Sequence, residues 1–464
     1  MSREAIVRGA ITVYPGAERK SKQTAPFTSL SVFSGAMGLD IGVHQTGQFE
    51  LLAAVEKVPS FCKTIVANRD AGQVVSPHAW VYEGDITHLD PYEVMADLGL
   101  LPGELDLLVG GPPCQAFSTS GRRASLQDPR GTMLWQFLRF VEVLQPRFFL
   151  MENVRGLMSA AVRHRPINLR PDHDGPPLEA DEEPGSVVEL FMNDMHGDYR
   201  LDIFEVNAVN YGAPQIRERV LFVGNREGRV VEFPKPTHGR PDEADLTLFS
   251  ESANLQPYRT LRDALARLSD PDPVMMDFSP RKKSFLDLIP PGSNWRSLPA
   301  DVAEESMGRA YHAKGGRSGW WRRLTLDLPS PTITTMPNHA STSLCHPTET
   351  RALSLRECAR VQEFPDEWIF CGTASQQYAQ VGNAVPVRLG RVAGDVLAEQ
   401  LGILAPPIVP GAPRVRQVYL QAHVRTRKWF KAGEAVTWAD GASNNDHADY
   451  GSAKTIRKER RRTA

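Results

Sequence analysis

A cysteine stands at a stiff corner of the chain, in "GGPPCQAFS" at residues 110–118. Two glycines and two prolines separate Cys114 from "LDLLV", an apolar run that reads as a strand. Free cysteine often behaves as a small buried hydrophobe. This thiol is therefore either a chance core residue beside a turn or the group that the corner presents. As a thiolate it would be a nucleophile, but at a pKa of about 8.5 little thiolate exists at neutral pH without help from neighbours. Other apolar runs also end in chemistry. "SLSVFSG" ends in Phe33, Ser34 and Gly35, "FELLAAVE" in Glu56, "WVYEGDIT" at Asp85, and "RFFLMENV" at Glu152 and Asn153. A glycine turn after the first strand could admit an adenosine-bearing ligand. Glu56 could then accept from ribose hydroxyls, and Asp85 could meet an adenine amine. Taken singly, a glycine turn is often only a turn, and an acid at a strand end is often a helix cap.

These groups act together only if their strands share one sheet. The runs alternate with amphipathic stretches such as "PSFCKTIVANR", "PYEVMADLG" and "MLWQFLRFVEVLQ". That alternation predicts βαβ units and an α/β fold with a doubly wound, mostly parallel sheet. In such a sheet ligands bind at the carboxyl ends of the strands, where the groups above lie. "LDIFEVNAVNYGAPQ" and "RERVLFVGN" add two strands joined by a turn around Gly212 and Pro214.

Composition is that of a globular protein, 41% hydrophobic and 23% charged over 464 residues. No apolar run of about 18 residues predicts a membrane span, and the N-terminus lacks a signal-peptide core. Cys62, Cys114, Cys345, Cys358 and Cys371 form no C-x-x-C pair, which argues against a disulfide framework or a zinc site. No metal is expected, the isolated His339 and His346 included, and the cytoplasm is the expected compartment. A net charge of -2 requires any nucleic acid to meet a local basic face. Residues 281–323 carry nine Lys/Arg against four Asp/Glu, and 411–464 carry twelve against five. Either region is equally readable as solvated surface.

Six segments occur in one order: "FSGAMGLD", "GPPCQAFS", "ENV", "QIRER" at 215–219, "RALSLRECARVQEFPDEW" at 351–368 and "QVGNAVP" at 380–386. Together they resemble the motifs of the C5-cytosine-specific DNA methyltransferase family, over roughly residues 28–400. The resemblance implies a Rossmann-like, S-adenosylmethionine-dependent methyltransferase that flips its target base. It implies that Cys114 adds to C6 of cytosine, that Glu152 contacts N3 and the exocyclic amine, and that Arg219 holds O2. Arg217 would brace the loop or a phosphate. Cofactor contacts would come from Phe33, Gly35, Gly38, Leu39, Glu56, Asp85, Ile86, Pro112, Asn383 and Val385. Substrate contacts would come from Gln115, Ser118, Arg122 and Arg123 in the loop after the cysteine, from Gln215, and from Arg317, Arg322 and Arg323. One departure is Met37, where many members have glycine; a negative φ there would make it harmless.

The implied organisation is an N-terminal arm (1–27), a catalytic and cofactor-binding domain (28–235), a smaller irregular target-recognition domain (236–345), a return to the catalytic domain (346–404), and a linker with a basic C-terminal tail (405–464). Residues 166–186, with six acids and five prolines, read as a partly disordered loop insertion. Ser354 and Glu357 have capping-box spacing for a supporting helix, and Trp320 and Trp321 read as core anchors. Double-stranded DNA is the expected partner of a monomer, with a restriction endonuclease acting separately; in a bacterium the enzyme would meet the nucleoid while acting. An RNA methyltransferase built on the same machinery, a catalytically silent DNA-binding protein and a nicotinamide oxidoreductase are the rivals. The last has the wrong glycine spacing, G-x-x-G rather than G-x-G-x-x-G.

Overall fold

In "RFFLMEN" the side chains alternate between two apolar layers. Phe148 and Leu150 join one buried cluster, and Phe149 and Met151 join another on the opposite face. A strand buried on both faces belongs in the middle of a sheet covered by helices. The computed structural model describes residues 4–18, 26–73, 75–113, 132–195, 199–239, 255–313, 317–403 and 414–424.

Its elements begin with β1 (Ile6–Arg8), β2 (Ile11–Tyr14), β3 (Phe27–Val32), α1 (Gly38–His44), β4 (Phe49–Glu56), α2 (Pro59–Asp70), β5 (Trp80–Glu83) and α3 (Pro91–Leu98). They continue with β6 (Leu107–Gly110), α4 (Met133–Leu144), β7 (Phe148–Asn153), α5 (Ser186–Asp194), β8 (Arg200–Asn207) and β9 (Glu218–Asn225). A two-residue parallel pair, β10 (His238–Gly239) and β11 (Gln256–Pro257), opens the central region, which holds α6 (Leu261–Leu265), α7 (Pro280–Leu286) and α8 (Ala300–Met307). The chain then forms α9 (Leu355–Val361), α10 (Ala374–Asn383), α11 (Val387–Gly402) and β12 (Val415–Tyr419).

The described residues form a ten-stranded sheet in the order β1-β2-β5-β4-β3-β6-β7-β9-β8-β12. Its centre, β5-β4-β3-β6-β7, is parallel. β9 runs antiparallel between β7 and β8. The order reverses between β3 and β6, which makes their carboxyl ends the expected ligand crevice. α4 covers one face through Phe137, Leu138 and Phe140, and α11 covers the other through Leu389, Ala393 and Leu397. Burying each such phenylalanine or leucine contributes roughly 1.5–3 kcal/mol. A separate cluster, with Phe278, Phe285, Leu298, Met307 and Trp321, fills the central region. Trp321 is an anchor there, and its Nε1 donates to Ser306 Oγ at 2.9 Å.

Three expectations are corrected at the periphery. The N-terminal arm supplies β1 and β2, and β2 pairs antiparallel with β5. The C-terminal tail supplies β12, parallel to β8. The acidic insertion carries short 3-10 turns at Ile167–Leu169, Pro171–His173 and Ala180–Glu182. Its acids are held by two arginines: Arg163 pairs with Asp181 at 2.9 Å and also with Glu179, and Arg165 pairs with Glu182. Charge compensation orders a segment that its composition alone would leave loose. The capping box of α9 forms, Ser354 Oγ accepting from Glu357 N at 3.2 Å and Glu357 Oε2 accepting from Ser354 N at 2.7 Å.

Met37 corrects a fourth. It caps α1 with φ 69° and ψ 18°, in the left-handed region, at a backbone cost of about 1–2 kcal/mol. Its side chain is buried in the core beside Ile41 and Leu51, and deleting such a side chain costs about 2–5 kcal/mol. Core filling outweighs strain, so Met37→Gly should destabilise the fold by about 1–3 kcal/mol, read as a lower urea midpoint at constant slope. A stabilised variant would reverse this ranking.

Asp40, three residues on, is buried, and burial pushes its carboxyl from 3.8 up to about 7. Between those values the unfolded chain gives up the proton first, so this group's contribution to stability falls as pH rises and levels off above about 7. Asp40→Asn should remove that slope. Its melting temperature relative to the parent chain should rise between about pH 4 and pH 7.

Candidate active site

β6 and β7 run side by side with Gly110 opposite Met151. The residues that follow these strands therefore meet. A Cβ placed on Gly111 would lie 3.2 Å from Glu152 Oε2, so a side chain there would crowd the carboxylate. Asn153 Nδ2 donates to Pro112 O at 3.0 Å and fastens the proline corner to β7. Pro112 is buried and Pro113 exposed. Cys114, Gln115, Ser118, Arg122 and Arg123 lie outside the described residues.

Antiparallel β9 brings Arg219 to the same place. Its Nε lies 2.5 Å from Glu152 Oε1, with the two side chains only 12% and 11% exposed. Arg219 Nη1 donates to Glu218 O at 2.7 Å, which fixes the fork of the guanidinium.

The side chains of Arg217 and Gln215 bond within the protein. Arg217 is buried, donating through Nη1 to Ile333 O and through Nη2 to Gly382 O, both at 3.0 Å. Burial, with the like charge of Arg219 adding, holds its pKa well below the ordinary value, against the pull of Glu152. It braces the loop and cannot reach a phosphate. Gln215 has no exposed surface: Nε2 donates to Gln362 Oε1 at 2.8 Å, and Oε1 accepts from Ile333 N at 2.9 Å. Both ends of its amide are consumed by the protein.

The cofactor candidates gather at the ends of β3, β4 and β5 and at the start of α11. Glu56 is buried, its Oε2 accepting from Gly35 N and its Oε1 from Val58 N, each at 2.8 Å. Desolvation raises its pKa. Each oxygen keeps a lone pair for a further donor, which suits paired ribose hydroxyls. Asp85 Oδ1 accepts from Thr87 N and Oγ1, and Oδ2 takes Lys57 Nζ at 2.7 Å. The Lys57 bond, with those of Thr87, pulls its carboxyl down to about 2. Ile86 is buried, and its carbonyl accepts from Arg139 at 2.5 Å. Phe33 is half-buried at φ 56°. Gly38 lies against the "GNAVP" backbone: a Cβ there would come within 2.3 Å of Val385 O. This contact brings buried Val385 and exposed Asn383 to the glycine turn. Leu39 is a correction, because its side chain is turned into the core with Phe49 and Leu389. With that exception the donor set fits an adenosine-bearing group.

The central-region arginines have internal partners. Arg317 lies 5.0 Å from the ring of Trp295 and donates to Tyr311 O. Arg323 donates to Thr350 Oγ1. Arg322 is half-buried, and burial pushes its pKa down to about 10.

A doubly wound sheet with an adenosine-type cradle beside a buried carboxylate–arginine pair defines a methyltransferase-type catalytic domain. The profile of the C-5 cytosine-specific DNA methylases matches residues 27–169 and 180–399, and its gap falls inside the acidic segment. Among curated relatives, the type II methyltransferase M.Eco47II of Escherichia coli is 35% identical over 379 residues, covering 79% of this chain and 78% of its own. M.Sau96I of Staphylococcus aureus is 34% identical over 385 residues, covering 82% and 77%. A solved structure, a candidate DNA modification methyltransferase encoded within an E. coli prophage, superposes with a TM-score of 0.52 at 23% identity. It covers 81% of this chain and all of its own, and supports the fold. The chain belongs to the C-5 cytosine-specific DNA methylase family. Its activity is methylation of cytosine C5 in DNA, with S-adenosylmethionine as cofactor.

Sequence reasoning passed over Asn207 and Lys57. Asn207 ends an apolar strand with a polar amide, and its Oδ1 accepts from Arg217 N at 2.9 Å; a buried asparagine one motif away from "QIRER" was the available signal. The two arginines of that motif should separate experimentally. Arg217→Met orphans two buried carbonyls and should cost about 2 kcal/mol of stability. Arg219→Met should lower the methylation rate about a hundredfold or more, with a smaller change in melting temperature.

Proposed function

We propose that this chain methylates cytosine within a specific double-stranded DNA sequence, through a Cys114–C6 adduct formed on a base extruded from the helix. The buried Glu152–Arg219 pair beside the proline corner carries the reading. S-adenosylmethionine supplies an electrophilic methyl group. Cytosine C5 is a poor nucleophile until a thiolate adds to C6: the S–C6 bond forms, the 5,6 double bond opens, and the ring becomes an enamine. Negative charge develops toward N3, where Glu152, once it has taken up a proton, donates a hydrogen bond or that proton. Arg219 keeps the carboxyl group aligned and has further N–H groups for O2. Methyl transfer would leave the cofactor as a neutral thioether; water then removes the C5 proton, the N3 proton returns to Glu152, the S–C6 bond breaks and the double bond returns. A base inside a duplex is out of reach of this chemistry, so extrusion must precede it.

Phe33 would stack on adenine, Glu56 would take the ribose hydroxyls, and Asp85 with the backbone of Ile86 would meet the adenine edge. Gly35, Gly38, Asn383 and Val385 would leave room for the amino-acid moiety and close the pocket. Residues 28–235 and 346–404 form the catalytic domain in this reading, and 236–345 the target-recognition domain. The relatives are named as type II methyltransferases, which supports a restriction endonuclease acting separately on the same site. The enzyme would act as a cytoplasmic monomer; among the described residues no helix is long and apolar enough to cross a membrane.

Methylation of mixed-sequence DNA with bisulfite readout should give methylcytosine in one sequence context, with tRNA unmodified. Preferential methylation of tRNA would favour the RNA rival. DNA carrying 5-fluorocytosine should trap the chain irreversibly. Trapping by Cys114→Ser at the parent rate would remove Cys114 from its role, and Glu152→Gln should lose about a hundredfold or more in rate.

A further inference from the structure

The family match ends at residue 399, yet the chain returns to the sheet beyond it. β12 lies parallel to β8, from Val415 opposite Leu201 to Tyr419 opposite Glu205. Polar contacts fix it there. Arg416 Nε meets fully buried Asp202 at 2.7 Å, and its Nη1 meets Glu232 at 2.6 Å. Gln417 Nε2 donates to Glu205 Oε1 at 2.8 Å.

Past β12 the backbone turns toward the strand that carries the site. Fully buried Ala422 offers its carbonyl to Asn207 Nδ2 at 2.8 Å. The same Asn207 accepts from the Arg217 N–H through Oδ1. His423 Nδ1 lies 3.0 Å from Glu218 Oε1. The other oxygen of Glu218 takes Arg155 Nη1 at 3.3 Å, while Arg155 Nε reaches Glu205 at 2.9 Å and its guanidinium lies 5.8 Å from the Tyr419 ring. Residues 217 and 218 are thus both tethered to the C-terminal segment, one through Asn207 and one directly. The next residue is Arg219, whose Nη1 donates to the carbonyl of Glu218.

We propose that residues 414–424 are a positioning element for catalysis: by holding Asn207 and Glu218 they fix the backbone that aims Arg219 at Glu152. The proposal rests on the reading of Glu152 and Arg219 as groups that touch the cytosine. Small errors in aim at such groups are costly to rate.

The test uses the full chain and its His423→Ala and His423→Asn variants; asparagine places an amide nitrogen near the Nδ1 position. Three quantities are measured: single-turnover methyl transfer to DNA, the dissociation constant for S-adenosylmethionine, and the melting temperature. His423→Ala should lower the transfer rate about fivefold, with cofactor affinity and melting temperature unchanged, and His423→Asn should restore the rate to within about twofold. An alanine variant as fast as the parent overturns the proposal. So does an alanine variant slowed only in step with a lower melting temperature and not rescued by asparagine. A parent chain that fails to methylate DNA refutes the reading of the site and the proposal with it; an active parent with an insensitive His423 refutes the proposal alone.

Discussion

The ion pair between Glu152 and Arg219 is the interaction on which the site depends. Its partners stand on β7 and β9, and only an antiparallel β9 brings an arginine at its start beside a glutamate at the end of β7. A fully parallel sheet would put the start of that strand at the opposite edge. The insertion of β9 between β7 and β8 is thus the topological step that completes the site. The pair is poor value as a stabilising device, because removing two charges from water can cost as much as their attraction returns. Its presence at the carboxyl edge of the sheet suits the role proposed for it, in which an acid and a cation are held in place before the substrate arrives.

The segment 215–219 also joins parts of the chain that are far apart in sequence. Gln215 clasps Gln362 and Ile333, Ile216 donates to Ser330 O, and Arg217 spans Ile333 and Gly382. The central region, the helix pair α9–α10 and the catalytic sheet are therefore fastened to five consecutive residues. Gly382 begins the "GNAVP" stretch, whose Val385 carbonyl touches Gly38 at the cofactor side. Buried polar contacts thus tie the region assigned to DNA recognition to the strand of the acid–arginine pair, and a close backbone approach continues to the glycine turn. Such contacts restrict the geometry of the backbone they join, which a reaction between two separately bound molecules requires.

The central strands were legible because each buries both faces, leaving apolar runs such as "FELLAAVE" and "FFLM" between helical periods. β1, β2 and β12 were not. They are strands of three to five residues near the two ends of the sheet. β1 and β12 are its edges, and β1 is exposed throughout; β2 alternates, but over only four residues. At the candidate site, the placement of Glu152, Arg219, Glu56 and Gly38 at strand ends and turns was legible from residue type and position. The side-chain directions of Gln215, Arg217 and Leu39 were not legible for one reason: a motif shows which residues recur near a ligand, not which way each side chain turns. Leu39 and Gln215 turn inward, and Arg217 satisfies backbone carbonyls. The acidic insertion failed differently, since composition counts its acids without the two arginines that hold Glu179, Asp181 and Glu182.

The turn after β3 carries two non-glycine residues in left-handed conformation, Phe33 at φ 56° and Met37 at φ 69°. Strain of this kind persists only where the surroundings over-determine it. Met37 is compensated by its buried side chain. Phe33 is half-buried against the core edge, so apolar burial offsets less of its cost. What holds Phe33 is its neighbourhood: Ser34 N donates to Val55 O, and Gly35 N donates to the Glu56 carboxylate. The backbone on the C-terminal side of the strained residue is thus clamped to β4 by the residue assigned to the ribose. The strain at Phe33 and the position of the Glu56 carboxylate thus belong to one arrangement, in which β4 clamps the backbone that follows β3.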